Sequence, residues 1–239
     1  RLGYTMALGA SGVSSEWWFA DGEKFEGNSE QLVILNPSDT DATLSVIFVN
    51  GASSDAQIEP ASLTAPAGRV TLFDTGSLPS VPDGRYGIIV SSIGEPGAEA
   101  TGVVVEQVIN RRAGNTVGTS VVLGAPMGAT STMWIAPSGV SSGIDDSLVV
   151  LNATPLDGTV TVSQIGPAGE VPIAGLESIV LPASGLVSIP VPAGVSSGEV
   201  VIRATTPVVV QRMLLRGHDL IGRSAVLAIP TIPSPEVGS

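Results

Sequence analysis

The chain has 239 residues, enough for one large or two ordinary domains, and 43% of them are apolar, so it can bury a core. It has no cysteine and one histidine, which excludes disulfide frameworks, thiol catalysis, cysteine zinc sites and histidine-cluster metal sites. Its net charge of −12 argues against nucleic acid and anionic membrane surfaces as partners.

Short apolar segments between turns rich in Gly and Pro predict strands along the whole chain. They are residues 42–49, 68–73, 86–91, 103–109, 159–165, 185–189, 199–203 and 208–215. Each alternates in polarity or is rich in β-branched residues, as half-buried strands are. No segment has a helical apolar stripe with caps at both ends, and none has 18 successive apolar residues. The pattern predicts an all-β chain without direct membrane insertion.

The two halves of the sequence repeat each other, which indicates an internal duplication. At an offset of 116 residues, the run Leu-Val-Ile-Leu-Asn that ends at Asn36 falls on Leu-Val-Val-Leu-Asn, which ends at Asn152. Further along, the offset becomes 104, so the second copy has lost twelve residues between the two blocks. We predict two tandem immunoglobulin-like β-sandwich domains, residues 1–116 and 117–239, each with its own core. The second carries a Pro-rich C-terminal tail.

Residues that recur in both halves are assigned structural roles: Trp18, Trp134, Asn36, Asn152, Gln107 and Gln211. The two tryptophans are predicted to superpose and to lie in the cores, because few aromatic residues serve the whole chain. The two asparagines end a buried strand and are predicted to hold the following turn through backbone hydrogen bonds. The two glutamines interrupt valine runs, so they are predicted to pair with backbone groups at a bulge or sheet rim.

Trp17 has no aromatic counterpart in the second half, where Met133 takes its place. Strand alternation puts Trp17 and Trp18 on opposite faces, so Trp17 is the better candidate of the two for a surface contact. Together with Phe25 it could form an aromatic platform for a sugar.

The acidic residues give no sign of a catalytic or metal site. The densest groups are Asp39 with Asp41 and Asp145 with Asp146, and neither follows the spacing of an EF-hand loop. No pair of acids stands out as a glycosidase pair, and the motif Gly-x-Ser-x-Gly is absent. We expect no enzymatic activity, no metal and no cofactor.

A short apolar segment that borders each half occurs three times, at residues 6–10, 121–126 and 225–230. Two bodies need two such strands, so one terminal strand is surplus. The predicted interaction residues therefore lie in the two terminal copies of the segment: Met6, Leu8, Val226, Leu227 and Ile229. The surplus has three explanations. The chain belongs to a longer tandem array, one body takes both flanking strands, or the spare strand completes a sheet in the next molecule and builds a head-to-tail filament.

Three motifs carry a resemblance to a known family: Trp18-Phe-Ala-Asp-Gly22, the segment 32–43, which begins Leu-Val-Ile-Leu-Asn-Pro, and Pro66-Ala-Gly68. They resemble a family of actinobacterial secreted or membrane-anchored proteins of unknown function, built from tandem β-sandwich modules. The second copy departs from the motifs, with Ala153 in place of the proline and Ser138 inserted. The resemblance implies a cell-envelope location and a non-catalytic role, and it supplies no site residues.

These observations lead to two functional hypotheses. The first is a non-catalytic extracellular or cell-surface module with a structural or adhesive role, self-assembling head-to-tail by strand addition into a fibre or stalk. Its partner is protein, including other copies of the chain. The alternative is a carbohydrate-binding module that uses surface aromatic residues.

Overall fold

The computed structural model describes residues 6–51, 58–81, 83–94, 97, 99–137, 144–192, 195, 199–216 and 223–231. Residues 1–5 and the Pro-rich tail beyond residue 231 lie outside this part. The fold is all-β, as predicted, and its strands are β1 (Glu16–Lys24), β2 (Asn28–Asn36), β3 (Ala42–Asn50), β4 (Ala61–Ala65), β5 (Arg69–Asp74), β6 (Gly84–Ile93), β7 (Val104–Ala113), β8 (Thr116–Leu123), β9 (Ala125–Pro126), β10 (Ser131–Ala136), β11 (Ile144–Asn152), β12 (Gly158–Gly166), β13 (Gly169–Pro172), β14 (Ile179–Leu181), β15 (Gly185–Val191), β16 (Val200–Arg216), β17 (Arg223–Leu227) and β18 (Ile229–Pro230).

Strands β1–β9 form a first body of two antiparallel sheets. Sheet 1 has the order β5-β2-β7-β8, and sheet 2 has the order β4-β3-β6-β1-β9. Alternate side chains of the two sheets meet in one core, with Leu32 and Ile34 of sheet 1 packing against Phe19 and Ile88 of sheet 2. Period-two alternation along β2 and β7 produces this buried face.

Strands β10–β18 form a second body with the same strand order. Its sheet 3 runs β15-β11-β16-β17 and its sheet 4 runs β12-β16-β10-β18, with β13 and β14 also paired to β12. The single 17-residue strand β16 takes the places of both β6 and β7: residues 200–204 pair in sheet 4 and residues 209–216 pair in sheet 3. Part of the predicted twelve-residue loss therefore falls on the connection between β6 and β7. The evolutionary duplication itself stays a prediction.

The outer faces of sheet 2 and sheet 3 pack against each other, and we call this contact the seam. Leu151 of β11 fills the space over Gly87 of β6, since a Cβ placed on Gly87 would lie 2.6 Å from the Leu151 Cδ1. Beside it, Gly51 forms a parallel β-bridge with Leu186. The core of the second body also includes Val49 and Ile89 of the first body. The predicted separation into two cores is therefore incomplete, because one apolar cluster crosses the seam.

Each body is closed by the strands that follow it. In the first body β8 pairs with β7 and β9 pairs with β1, and in the second body β17 pairs with β16 and β18 with β10. Residues 6–10 lie outside all strands of the described chain. The surplus segment is therefore the N-terminal one.

Candidate interaction surfaces

Trp17 is a core residue, which contradicts the prediction of a surface contact. Its side chain is 2% exposed, and its Nε1 donates to the Val103 carbonyl at 2.8 Å. Trp134 donates in the same way to the Val208 carbonyl at 3.1 Å. Trp17 lies opposite Pro126 and Trp134 lies opposite Pro230, so Trp17 is the positional counterpart of Trp134.

Trp18 therefore does not superpose on Trp134, as the 116-residue offset predicted. It lies on the outer face of sheet 2, half-buried, and packs against the cluster that crosses the seam. Its Nε1 donates to Glu16 Oε1 at 2.5 Å. Alternation correctly places the two tryptophans on opposite faces of sheet 2, but the second body covers the outer face, which would otherwise be exposed to solvent.

Gln107 and Gln211 converge on the backbone of one residue, Asp21. The register of β1 against β6 shifts between Phe19 and Gly22, which leaves Asp21 in a bulge. Gln107 Nε2 donates to the Asp21 carbonyl at 3.0 Å, and the Asp21 N–H donates to Gln211 Oε1 at 2.7 Å. The bulge is thus held from the first core by one glutamine and across the seam by the other.

The two asparagines make matching hydrogen bonds. Asn36 Nδ2 donates to the carbonyls of Thr40 and Ala65, both at 2.8 Å, and its Oδ1 accepts from the Ser38 N–H at 3.1 Å. Asn152 Nδ2 likewise donates to two carbonyls beyond its strand, and its Oδ1 accepts from the Thr154 N–H at 3.0 Å. Each asparagine side chain thus provides hydrogen-bond partners for backbone N–H and C=O groups in and beside the turn that follows its strand.

A carboxyl group that the sequence analysis did not single out lies inside the first core. Glu30 of β2 is fully buried and accepts hydrogen bonds from Tyr86 Oη, Gln107 Nε2 and, at 2.9 Å, Thr75 Oγ1. Burial raises the pKa of Glu30 to about 7, although these three donors oppose the shift. Burial raises the pKa of Tyr86, and the neighbouring Glu30 carboxyl raises it further.

The second body places an ion pair at the corresponding position of β11. Arg212 Nε and Nη2 approach the two carboxylate oxygens of Asp146 at 3.0 and 2.5 Å, and both side chains are buried. Arg212 Nη1 also donates to the Pro137 carbonyl. An acid within an apolar, alternating strand was the available signal for both sites, but sequence alone does not show which donors face it.

A charged network lies where β1 meets both bodies. Asp21 Oδ1 is 2.9 Å from Arg85 Nη1, and Glu23 Oε1 is 2.6 Å from Arg111 Nε. Arg223 of the second body lies 3.5 Å from Glu23 Oε2. Burial raises the pKa of Asp21, and Arg85 opposes that shift.

A cleft of about 310 Å³ opens beside this network, between the bodies. Its lining includes the basic residues Arg85 and Arg223 together with Asp145, Ser147 and Met213. Each arginine already has an acidic neighbour, so the lining charges are largely matched within the protein.

The other predicted interaction residues are mostly exposed. Met6 is 90% and Leu8 85% exposed. Phe25, in the turn after β1, is exposed, as are Val226 and Ile229, whereas Leu227 is half-buried. The predicted sugar platform of Trp17 with Phe25 does not form, because Trp17 is in the core.

Within the described ranges, no three His, Cys, Asp or Glu side chains come together as ligands for a metal ion. The same ranges contain no helix that is long and apolar enough to cross a membrane.

No protein-family model matches the sequence, and no curated protein matches it. Among solved structures, protein 1070 from Thermotoga maritima is 18% identical, and the match covers 49% of this chain and 97% of that one with a TM-score of 0.41. The major pilin from Streptococcus pyogenes is 11% identical, and the match covers 85% of this chain and 99% of the pilin with a TM-score of 0.23.

Proposed function

We propose that this chain is a non-catalytic structural or adhesive module of an extracellular, cell-surface protein, and that copies join head-to-tail when residues 6–10 add as a strand to the next copy. The observation that carries the proposal is the surplus N-terminal segment. Both bodies are closed by their own following strands, while Met6 and Leu8 stand almost fully in solvent. The composition, rich in small and β-branched residues with a single lysine, supports an extracellular location.

The sequence of the segment indicates where it would bind. Leu8-Gly9-Ala10 repeats Leu123-Gly124-Ala125, which leads into β9 and its pairing with β1. In the second body the corresponding edge, β10, is covered by β18 over two residue pairs, as β1 is by β9, and Thr231 adds a backbone hydrogen bond to Met133. This edge of another copy is the acceptor in the proposal: residues 6–10 would displace β18, and main-chain hydrogen bonds would supply the affinity.

The test is sedimentation velocity of the full chain over a range of concentrations, compared with a variant that lacks residues 1–12. We expect the full chain to form chains of copies and the deletion variant to remain monomeric. Met6→Lys with Leu8→Lys should have the same effect, and Leu156→Lys, at an exposed turn residue elsewhere in the chain, controls for the addition of a lysine to the surface. A full chain that stays monomeric at high concentration would refute the proposal.

A further inference from the structure

The seam inside the molecule defines how one sandwich body can dock on another. The outer face of sheet 3 presents the cross-strand pair Leu151 and Leu186, which are 0% and 5% exposed. It rests on the outer face of sheet 2, where Val49 and Ile89 are buried by the contact.

Sheet 1 has an outer face with a similar apolar pair, and its β2 and β5 side chains are exposed, although β17 of the second body contacts its edge strand β8. Leu35 pairs with Val70 across β2 and β5, as Leu151 pairs with Leu186 across β11 and β15. Leu35 is 39%, Val70 59% and Leu72 62% exposed. The half-buried Val33 of β2 and Val108 of β7 continue this apolar surface. An exposed apolar patch on a sheet face marks an interaction site.

Sheet 4, on the other side of the second core, has the face that corresponds to the docking surface on sheet 2, but the exposed Glu199 stands there in the place of Gly87. Ile165 of β12 takes the place of Val49 and is 40% exposed, and Ile135 of β10 takes the place of Trp18. The ion pair of Arg203 with Glu170, at 2.8 Å, makes this face more polar than its counterpart.

We infer that the outer face of sheet 1 docks on the outer face of sheet 4 of a second copy, which repeats the seam between molecules. The inference deepens the proposed function and rests on it for the identity of the partner. It also agrees with the proposed strand addition. Within the chain, β9 pairs with β1 while sheet 3 covers sheet 2. Between copies, residues 6–10 would displace β18 and pair with β10 while sheet 1 covers sheet 4.

The contact joins two different faces, so it is head-to-tail and leaves one free face at each end of every assembly. The polar groups on sheet 4 make it weaker than the seam. Association is therefore expected to require high protein concentration, as in the weak class of protein interfaces.

The test uses two full-chain variants, each with one face blocked. Val70→Lys with Leu72→Lys blocks sheet 1, and Ile165→Lys blocks sheet 4. All three residues are exposed, so the fold should tolerate the changes, and lysine suits the edge strand β5. Leu156→Lys again serves as the control.

Neither blocked variant should form chains alone, and the apparent Kd for self-association should rise at least tenfold. An equimolar mixture of the two should form 1:1 dimers that grow no further, because each supplies the face that the other lacks. Sedimentation velocity and light scattering measure both results.

Three outcomes overturn the face contact. If the Ile165→Lys variant dimerises alone, sheet 1 pairs with itself. If both blocked variants assemble like the unmodified chain while deletion of residues 1–12 prevents assembly, the strand addition stands and the face contact fails. If no variant and not even the full chain associates, both proposals fail.

Discussion

Truncation of Leu151 to alanine should destabilise the protein far more than the same change at Leu35. The two leucines occupy corresponding positions on β11 and β2, but Leu151 is buried in the seam over Gly87 and Leu35 faces solvent. A buried Leu→Ala change costs about 2–5 kcal/mol, because transfer free energy is lost and a cavity remains. A change at a partly exposed site costs about 1 kcal/mol or less.

Urea unfolding at neutral pH, followed by tryptophan fluorescence, measures both free energies, and Trp18 at the seam reports on the contact itself. We expect a midpoint well below that of the unmodified chain for Leu151→Ala and a nearly unchanged midpoint for Leu35→Ala, with similar slopes. Equal losses in the two variants would show that the second body does not cover sheet 2, and would refute the seam.

The remaining predictions concern the two buried acids. The pKa of Glu30 rises from 4.5 to about 7 on folding, so the folded state holds a proton that the unfolded state releases in this window. The protonated Glu30 carboxyl therefore makes its full contribution to the free energy of unfolding below about pH 4.5. This contribution, up to about 3 kcal/mol, is lost as the pH rises to about 7. Unfolding measured from pH 5 to 7 should show this slope, and Glu30→Gln should flatten it; an equal slope in both would contradict the assignment. Arg212→Met should cost about 3–5 kcal/mol, because it leaves the Asp146 carboxylate buried without its partner. Adding Asp146→Asn should recover much of that loss in chemical denaturation, and no recovery would show that the ion pair is not the cause.

Local features of the fold were predictable from the sequence because they depend on neighbouring residues. Alternating and β-branched segments became strands, and each turn after Asn36 and Asn152 is held by hydrogen bonds from that asparagine. The three copies of the closing segment also predicted that one copy would be surplus, and residues 6–10 lie outside the strands of the described chain.

Features that depend on contact between the bodies were not predictable in this way. Alternation assigned Trp17 and Trp18 to opposite faces, but it could not show that both faces of sheet 2 are covered. The offset of 116 residues also paired Trp18 with Trp134, although Trp17 is the structural counterpart of Trp134. Because Trp17 and Trp18 are both tryptophan, the sequence match did not reveal this shift of one position. The donors around Glu30 come from three different strands or turns, which no local pattern brings together.

The bulge at Asp21 has a consequence for synthesis of the chain. Ribosomes make the first body about 100 residues before the second is complete, which at 5–20 residues per second is roughly 5–20 s. During that interval the Asp21 N–H lacks Gln211, and Val49 and Ile89 face water instead of the second body. The nascent first body thus exposes an adhesive apolar sheet to neighbouring nascent chains. This face is covered once the second body has been made and has folded onto it.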